Sequence, residues 1–283
     1  VYFARLALPF NLGDRFATEL AAADFNGDGL DDLAVGIPGA NLEVITDAGQ
    51  VQIIYGDAKL GIVPPSIGTA AEYWTQNSSG IDDEAEANDE FGHDLTTGDF
   101  NGDDYQDLAI GVYAEDIDTV TNAGGVNVIY GSKIGLRPQL NQFYQQNFLT
   151  SAAEEGDIFG WSLAAGDFNN DGRDDLAVGA RSEDFGPALP GAGLVDIIYG
   201  APFQLSFINN RVLSQGEPGM IDKLEPIDLF GHALASGDFD GNGFDDLAVG
   251  VLFETIDVGS QGAVHVIYSA SADDDAVFAD RFD

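Results

Sequence analysis

The sequence predicts an all-β fold, a β-propeller of four visible four-stranded blades. A segment of the form Asp-Phe-Asn-Gly-Asp-Gly, followed by Asp-Leu-Ala-Val-Gly, recurs four times at intervals of roughly 70 residues. A phenylalanine precedes each segment at constant spacing, and a strand-like run ending in tyrosine follows it. Four short antiparallel strands in each repeated unit are typical of a propeller blade. The four segments are 23–36, 98–111, 166–179 and 237–250.

Each unit contains four candidate strands, called A to D. Strand A is a run of small residues, as in SLAAG (162–166) and ALASG (233–237). Strand B is the Asp-Leu-Ala-Val-Gly run. Strand C is VQIIY (51–55), VNVIY (126–130), VDIIY (195–199) or VHVIY (264–268), and strand D is EYWTQ (72–76), FYQQNF (143–148) or INNRVLSQ (208–215). Glycine, asparagine and aspartate are abundant between them, as hairpin turns require.

The ends of the chain suggest how the ring closes. Residues 1–6, VYFARL, have the character of a strand D, whereas the last unit ends at its strand C. Pairing 1–6 with 264–268 would complete the fourth blade and leave no open sheet edge. We therefore predict one propeller over 1–268, with an acidic tail over 269–283; an eight-bladed ring shared by two chains is the alternative. The predicted blades are 13–76, 88–148, 156–215 and 227–268 plus 1–6.

Charge and composition exclude several classes of protein. The chain has 283 residues, with 10 Lys and Arg against 49 Asp and Glu, a formal net charge of −39. Such a charge argues against binding nucleic acid or an anionic membrane and favours cation binding. The absence of cysteine excludes disulfides and thiolate zinc sites. No apolar run approaches the ~20 residues of a membrane-spanning helix.

The repeated acidic segment has the oxygen spacing of a calcium loop. Side-chain oxygens at positions 1, 3, 5 and 9 and a carbonyl at position 7 surround one point, and they are the hard donors that calcium prefers. Position 12 is never glutamate, so the loop is not an EF-hand. In the second loop, Asp104 replaces the expected glycine and is predicted to need a positive φ. The candidate ligands are Asp24, Asn26, Asp28, the Leu30 carbonyl and Asp32; Asp99, Asn101, Asp103, the Tyr105 carbonyl and Asp107; Asp167, Asn169, Asp171, the Arg173 carbonyl and Asp175; and Asp238, Asp240, Asn242, the Phe244 carbonyl and Asp246.

These motifs resemble the FG-GAP repeats of integrin α-subunit heads and of secreted bacterial proteins. The resemblance covers about residues 13–268. It rests on the Phe-Gly pair, the calcium loop with the glycine that follows it, and the Gly-x-Val-x-x-x-Tyr run. It implies a calcium-binding propeller with about four ions and an extracellular location, secreted or at the cell surface.

A second set of acids is predicted on the face opposite the calcium loops. The strand order brings the B–C and D–A connections to that face. We expect these acids to bind a cationic or metal-bridged partner there, although capping of turns is the simpler interpretation for the aspartates. They are Asp14, Asp89, Asp157 and Asp228 from the D–A side, and Glu115, Asp116, Glu183, Asp184 and Glu254 from the B–C side.

The remaining residues favour binding over catalysis. His93, Trp161 and His232 follow Phe-Gly pairs and are interpreted as structural. We predict an adhesion or binding propeller without catalytic activity, a monomer or homodimer with a protein or glycan ligand. A lectin using Trp74 as a sugar platform is the alternative. A polysaccharide lyase is the least supported class. Such an enzyme needs a group of Tyr, His and Arg side chains, and the few His and Arg residues of this chain are scattered along the sequence.

Overall fold

The computed structural model describes residues 13–59, 61–62, 72–149, 151–220, 222–255, 259 and 261–269. These residues form a four-bladed propeller of antiparallel sheets, which confirms the predicted fold class. The predicted closing strand 1–6 and almost all of the acidic tail lie outside the described residues. The pairing of 1–6 with 264–268, and the two-chain alternative that depends on it, therefore stay predictions.

The strands follow one another across each sheet, from the inner strand to the outer one. The first blade is β1 (Leu20–Ala23), β2 (Asp32–Ile37), β3 (Gln50–Ile54) and β6 (Glu72–Trp74), with a small ribbon of β4 (Gly56–Asp57) and β5 (Gly61–Ile62) beside it. The second is β7 (Leu95–Gly98), β8 (Asp107–Val112), β9 (Gly125–Tyr130) and β10 (Arg137–Tyr144). The third is β11 (Ser162–Gly166), β12 (Asp175–Ala180), β13 (Leu194–Ile198) and β14 (Arg211–Leu213). The fourth is β15 (Phe230–Gly237), β16 (Asp246–Val251) and β17 (Ala263–Ile267).

The outer strands differ most from their predicted bounds. In the second blade the predicted strand 143–148 is replaced by β10, which ends at Tyr144 opposite Val126. Because β9 begins at Gly125, a longer β10 would have no ladder partner beyond Gln145, and Gln146–Phe148 instead form a 3₁₀ turn.

A repeated joint connects consecutive blades. The backbone N–H of Phe91 donates to the Ala48 carbonyl of the preceding blade at 3.1 Å, and Phe159 donates to Ala123 in the same way at 2.9 Å. Both phenylalanines are completely buried. Beside the first joint, a Cβ on Gly36 would lie 2.3 Å from the Gly92 carbonyl oxygen. Glycine is therefore required where the two backbones approach so closely.

The hydrophobic core lies between the blades. One cluster joins β2 and β3 to β8, a second joins β9 to β12 and β13, and a third joins β13 to β16. Strands that are covered by a neighbouring blade on both faces, such as β8 and β9, are buried along their whole length. This explains why strands B and C are continuous apolar runs instead of alternating ones.

Candidate functional site

The four acidic loops predicted to bind calcium, called calcium loops below, connect the inner strand of each blade to the next strand, all at one edge of the propeller. In the first loop, the Asp24 carboxylate accepts the backbone N–H groups of Asp28 at 3.1 Å and Gly29 at 2.8 Å. The N–H groups of Asp28 and Leu30 donate to Asn26 Oδ1 and Asp28 Oδ1, both at 3.0 Å. The first and fifth positions make the same bonds in the other three loops, with Asp99, Asp167 and Asp238 as the first acceptors. The loop conformation is therefore held by its own predicted ligands.

The ninth position anchors each loop to the sheet. Asp107 is fully buried at the start of β8, and its two oxygens accept the N–H groups of Phe100 at 3.0 Å and Gly131 at 2.8 Å. Burial, reinforced by repulsion from Asp103 and Asp99, raises its pKa to about 8. Burial likewise raises the pKa of Asp32 to about 6 and that of Asp175 to about 7. These carboxylates are costly to ionise unless a cation balances them.

Several oxygens in the loops lack partners, as metal ligands would. Asn101 Oδ1 and Asp175 Oδ2 are buried and accept no hydrogen bond. In the fourth loop, one oxygen from each of Asp238, Asp240 and Asp246 lies within 4.8 Å of the others. An all-oxygen set at this spacing fits calcium.

Three details of the loops depart from the simple repeat. Asp104 has a φ of +70°, as predicted. Arg173 Nη1 lies 2.9 Å from Asp171 Oδ1, so a cation in the third loop competes with a guanidinium. Phe25 and Phe100 at position 2 are fully buried, but the corresponding Phe239 is 50% exposed. The same loop position is therefore buried in the first two blades and half-exposed in the fourth.

Neighbouring loops are also connected to one another. Asp174, at position 8 of the third loop, accepts the backbone N–H of Asp99 in the second loop at 2.8 Å. Asp245 accepts the N–H of Asp167 in the same way at 3.0 Å. Sequence reasoning did not assign these aspartates a role, although their constant position in the repeat was a usable signal.

The acids predicted to face a partner at the opposite edge are mostly buried. The exposed exceptions, Asp116 and Asp184, accept backbone N–H groups within their own loops, from Asn122 at 2.8 Å and Gly191 at 2.6 Å. The aspartates of the D–A turns cap those turns: Asp228, for example, accepts the Glu225 N–H at 2.9 Å. Of the nine acids predicted to face a partner, only Asp116 and Asp184 are therefore exposed in the structure. The buried members are Asp14, Asp89, Asp157, Asp228, Glu115, Glu183 and Glu254.

A cleft with aromatic, basic and acidic side chains opens nearer the propeller axis. It has a volume of about 410 Å³ and lies at the beginnings of the inner strands of all four blades. Its lining includes His93, Trp161 and His232 together with the acids Glu19 and Asp94. The Arg181 guanidinium carbon lies 3.7 Å from the centre of the Trp161 ring, and Arg181 Nη1 lies 3.1 Å from His232 Nδ1. The Tyr113 ring packs against both His93 and Trp161.

A partly buried ion pair lies on one side of the cleft. Arg15 Nη2 contacts Glu90 Oε1 at 2.7 Å. Burial opposes ionisation of Glu90, but the nearby His93, 3.8 Å away, and the contact with the Arg15 guanidinium outweigh it and lower the Glu90 pKa to about 2. Burial and the neighbouring Glu90 charge raise the pKa of Tyr113 to about 12. Glu90 is therefore ionised and Tyr113 protonated at neutral pH.

Sequence analysis did not identify this cleft. It interpreted His93, Trp161 and His232 as structural, and it did not consider Tyr113 or Arg181. Each of these two residues directly follows the end of a strand B. Trp74, the predicted sugar platform, is only 8% exposed and belongs to the core between the first two blades. It cannot serve as a platform for a ligand.

The comparison with protein families agrees with this architecture. The FG-GAP repeat matches residues 16–54, 91–129, 159–198 and 230–267, which together make up more than half of the chain. Each match begins at the phenylalanine of the Phe-Gly position and ends in strand C. Within the described residues, no helix is long and apolar enough to cross a membrane.

Two kinds of curated relatives are similar to this chain. Integrin alpha-PS2 of Drosophila melanogaster is 34% identical over 175 residues, which are 61% of this chain and 12% of that protein. Phosphatidylinositol-glycan-specific phospholipase D of Bos taurus is 32% identical over 206 residues, 73% of this chain and 22% of that protein. The chain thus spans less than a quarter of the length of either relative. The four matched repeats, their loops and the blade joints show that the chain belongs to the FG-GAP repeat family.

Proposed function

We propose that the protein is a calcium-stabilised extracellular binding or adhesion propeller without catalytic activity, and that its ligand occupies the central cleft. The observation that carries this proposal is that His93, Trp161 and His232 from three blades line one cavity of about 410 Å³, and that Arg181 contacts both Trp161 and His232 beside it. A rigid scaffold that presents aromatic and basic side chains at loop ends is typical of a recognition site.

The cleft suits a ligand with a carboxylate and a ring or other apolar face. No carboxylate of the described residues lies within ion-pair distance of Arg181, and its Nε lacks a partner. A guanidinium that is already stacked on Trp161 is preorganised to bind a carboxylate through two hydrogen bonds. The ligand in this proposal is an acidic glycan or an acidic segment of a protein whose carboxylate binds Arg181, beside a cleft that Glu19 and Asp94 also line.

The test compares ligand binding by variants of the cleft with binding by a variant of an exposed aromatic residue at the opposite edge. Trp161→Ala and Arg181→Ala should each weaken binding to immobilised uronic-acid polysaccharides or acidic proteins at least ~10-fold, the loss of one good contact. The control is Phe203→Ala, because Phe203 is 86% exposed beside the calcium loops. Unchanged binding in both cleft variants, or loss in the Phe203 variant alone, would place the ligand site elsewhere.

Calcium in this proposal stabilises the fold, with about four ions in the four loops. Without metal, three or four carboxylates face one another in each loop, which should destabilise it. Oxygen-ligand loops of this kind are suited to extracellular calcium concentrations. EDTA should lower the melting temperature and calcium should restore it; an unchanged melting temperature in EDTA contradicts a stabilising role.

A lyase-like enzyme is the second candidate, and one observation favours it. Tyr113, His93, Arg181 and His232 come together in the cleft, contrary to the expectation that such residues are scattered. The raised Tyr113 pKa of about 12 makes this tyrosine a poor base, so we favour binding. Release of unsaturated sugars from a uronic-acid polysaccharide by the wild type, and its loss in Tyr113→Phe, would establish the enzyme instead.

A further inference from the structure

A glutamine–glutamate pair recurs at each junction between consecutive blades. The glutamine lies two residues after the outer strand of one blade, and its amide Nε2 donates to a glutamate three residues after strand B of the next blade. Both partners are at least nine-tenths buried in all three copies. The pairs are Gln76 with Glu115, Gln146 with Glu183 at 2.6 Å, and Gln215 with Glu254.

Two further carboxylates complete each group, which we call a junction cluster. In the first cluster, oxygens of Glu86, Asp89 and Glu115 lie within 4.8 Å of one another. The last cluster repeats this arrangement with Glu225, Asp228 and Glu254. In the middle cluster, Glu154 and Asp157 act electrostatically on Glu183, but the three do not form so tight a group.

The glutamine side chains carry independent evidence for a missing ligand. In each glutamine, Nε2 donates a hydrogen bond to the cluster glutamate. The Oε1 atom on the same carbon has no hydrogen-bond partner. Gln76 is 1% exposed, and Gln146 and Gln215 are fully buried. A buried amide oxygen without a partner is energetically unfavourable, and its occurrence at three equivalent positions argues against chance.

The charge at these junctions is also unbalanced. Burial, together with repulsion from Asp89 and Asp83, raises the pKa of Glu115 to about 10. Asp83 also lines a cleft of about 190 Å³ with Asp116 and Asp118, which gives the first cluster an acidic approach from solvent. Among the described residues, the one ion pair to any cluster is between the exposed Lys223 and Glu225, at 3.1 Å.

We propose that each junction cluster binds a calcium ion that joins two consecutive blades. The ligands are the oxygens of the two glutamates and the aspartate, together with the glutamine Oε1. Calcium–oxygen distances of about 2.3–2.6 Å place opposite ligands up to roughly 5 Å apart, so oxygens that lie within 4.8 Å of one another can share one ion. An all-oxygen set of carboxylates and an amide carbonyl is the donor chemistry that calcium prefers. These ions are additional to those in the loops and lie at the other edge of the propeller.

The residue at the position of the cluster glutamate differs between the four blades. In the first blade the position of the cluster glutamate is occupied by Ala40, three residues after the end of β2. The chain therefore has three junction sites beside four loops. In the middle cluster the segment from Gln146 to Asp157 is two residues shorter than its counterparts, so this site should bind most weakly.

The experiment counts calcium ions bound to the full chain by equilibrium dialysis after chelation. The wild type should bind about seven ions, and the triple variant Glu115→Gln/Glu183→Gln/Glu254→Gln about four, with a smaller calcium-induced rise in melting temperature. The matched control Glu43→Gln/Glu84→Gln/Glu155→Gln makes the same charge change at three exposed glutamates and should retain all of them.

The outcomes separate this proposal from the calcium loops. A wild-type count of about four that persists in the triple variant overturns the junction sites and indicates that the glutamates are protonated partners of the glutamines. A wild-type count of about three that disappears in the triple variant supports the junction sites and contradicts the loop sites. If the triple variant does not fold, the wild-type count decides between about four and about seven.

Discussion

The second and fourth blades have nearly the same strand B but very different surroundings. DLAIGV in β8 is buried throughout, whereas Ala248 and Gly250 in DLAVGV of β16 are partly exposed. Strand C shows the same contrast, since β9 is entirely buried and Val264 in β17 is 55% exposed. The second blade shares hydrophobic clusters with both the first and the third blade. Among the described residues, the fourth blade shares such a cluster with the third blade alone. The burial of a blade thus depends on its neighbours more than on its own sequence.

The phenylalanines at position 2 of the loops offer the largest test of this comparison. Phe100 is fully buried and Phe239 is 50% exposed, although the two occupy the same place in the repeat. Phe100→Ala should reduce the free energy of unfolding by about 3–5 kcal/mol, because it leaves a cavity. Phe239→Ala should cost less than about 1 kcal/mol. Urea denaturation in saturating calcium measures both; equal losses would show that the fourth blade is covered as tightly as the second.

The glycines at the end of strand B give a second matched pair. A Cβ on Gly111 would lie 2.3 Å from the Gly160 carbonyl oxygen of the next blade, whereas the nearest described atom to a Cβ on Gly250 is in its own blade, at 3.4 Å. Gly111→Ala should destabilise the protein by about 1–3 kcal/mol or more, as overpacking does. Gly250→Ala should change the melting temperature little. A comparable fall in both variants would reveal a neighbour on the open side of the fourth blade.

A buried aspartate in strand C extends the comparison to pH. Asp196 in β13 is fully buried, and burial raises its pKa to about 7 despite hydrogen bonds from Ser151 and Asn210. The folded state therefore holds a proton that the unfolded state loses near pH 4, so stability falls as pH rises from about 4 to 7. The equivalent residue in the fourth blade is His265.

Asp196→Asn should remove this dependence on pH. The variant should gain on the order of 2 kcal/mol relative to wild type at pH 8, and this gain should disappear by pH 4. Thermal denaturation at both pH values provides the measurement. A gain that is the same at pH 4 and pH 8 would mean that Asp196 does not titrate in this range.

The smallest expected effect lies in the calcium loops, where the two blades should behave alike. Asp104 has a φ of +70° and Gly243, at the same loop position, has +91°. Asp104→Gly should stabilise the protein by up to ~1 kcal/mol, and Gly243→Asp should destabilise it by a similar amount. The strain belongs to the loop itself, so neighbouring blades should not alter it. Melting temperatures at fixed calcium test this symmetry, and a large effect in one blade alone would show that the loops depend on their neighbours.

Local features of this protein could be predicted from its sequence. The number of units, the strand order and the turn of each acidic loop all depend on residues close together in the chain, such as Asp24 to Asp32. The positive φ of Asp104 followed from the same reasoning, because a loop of this spacing must turn sharply at its sixth position.

Only the tertiary structure decided which side chains are buried and which meet. Glu115 looked like an exposed loop residue, yet Gln76 of the preceding blade contacts it in the interior. Phe239 and Phe100 have the same local sequence pattern but different neighbours. His93, Tyr113, Trp161 and Arg181 come from two blades and form one cleft because the inner strands converge on the propeller axis. Contacts of this kind depend on the packing of whole blades, which the spacing within one repeat does not determine.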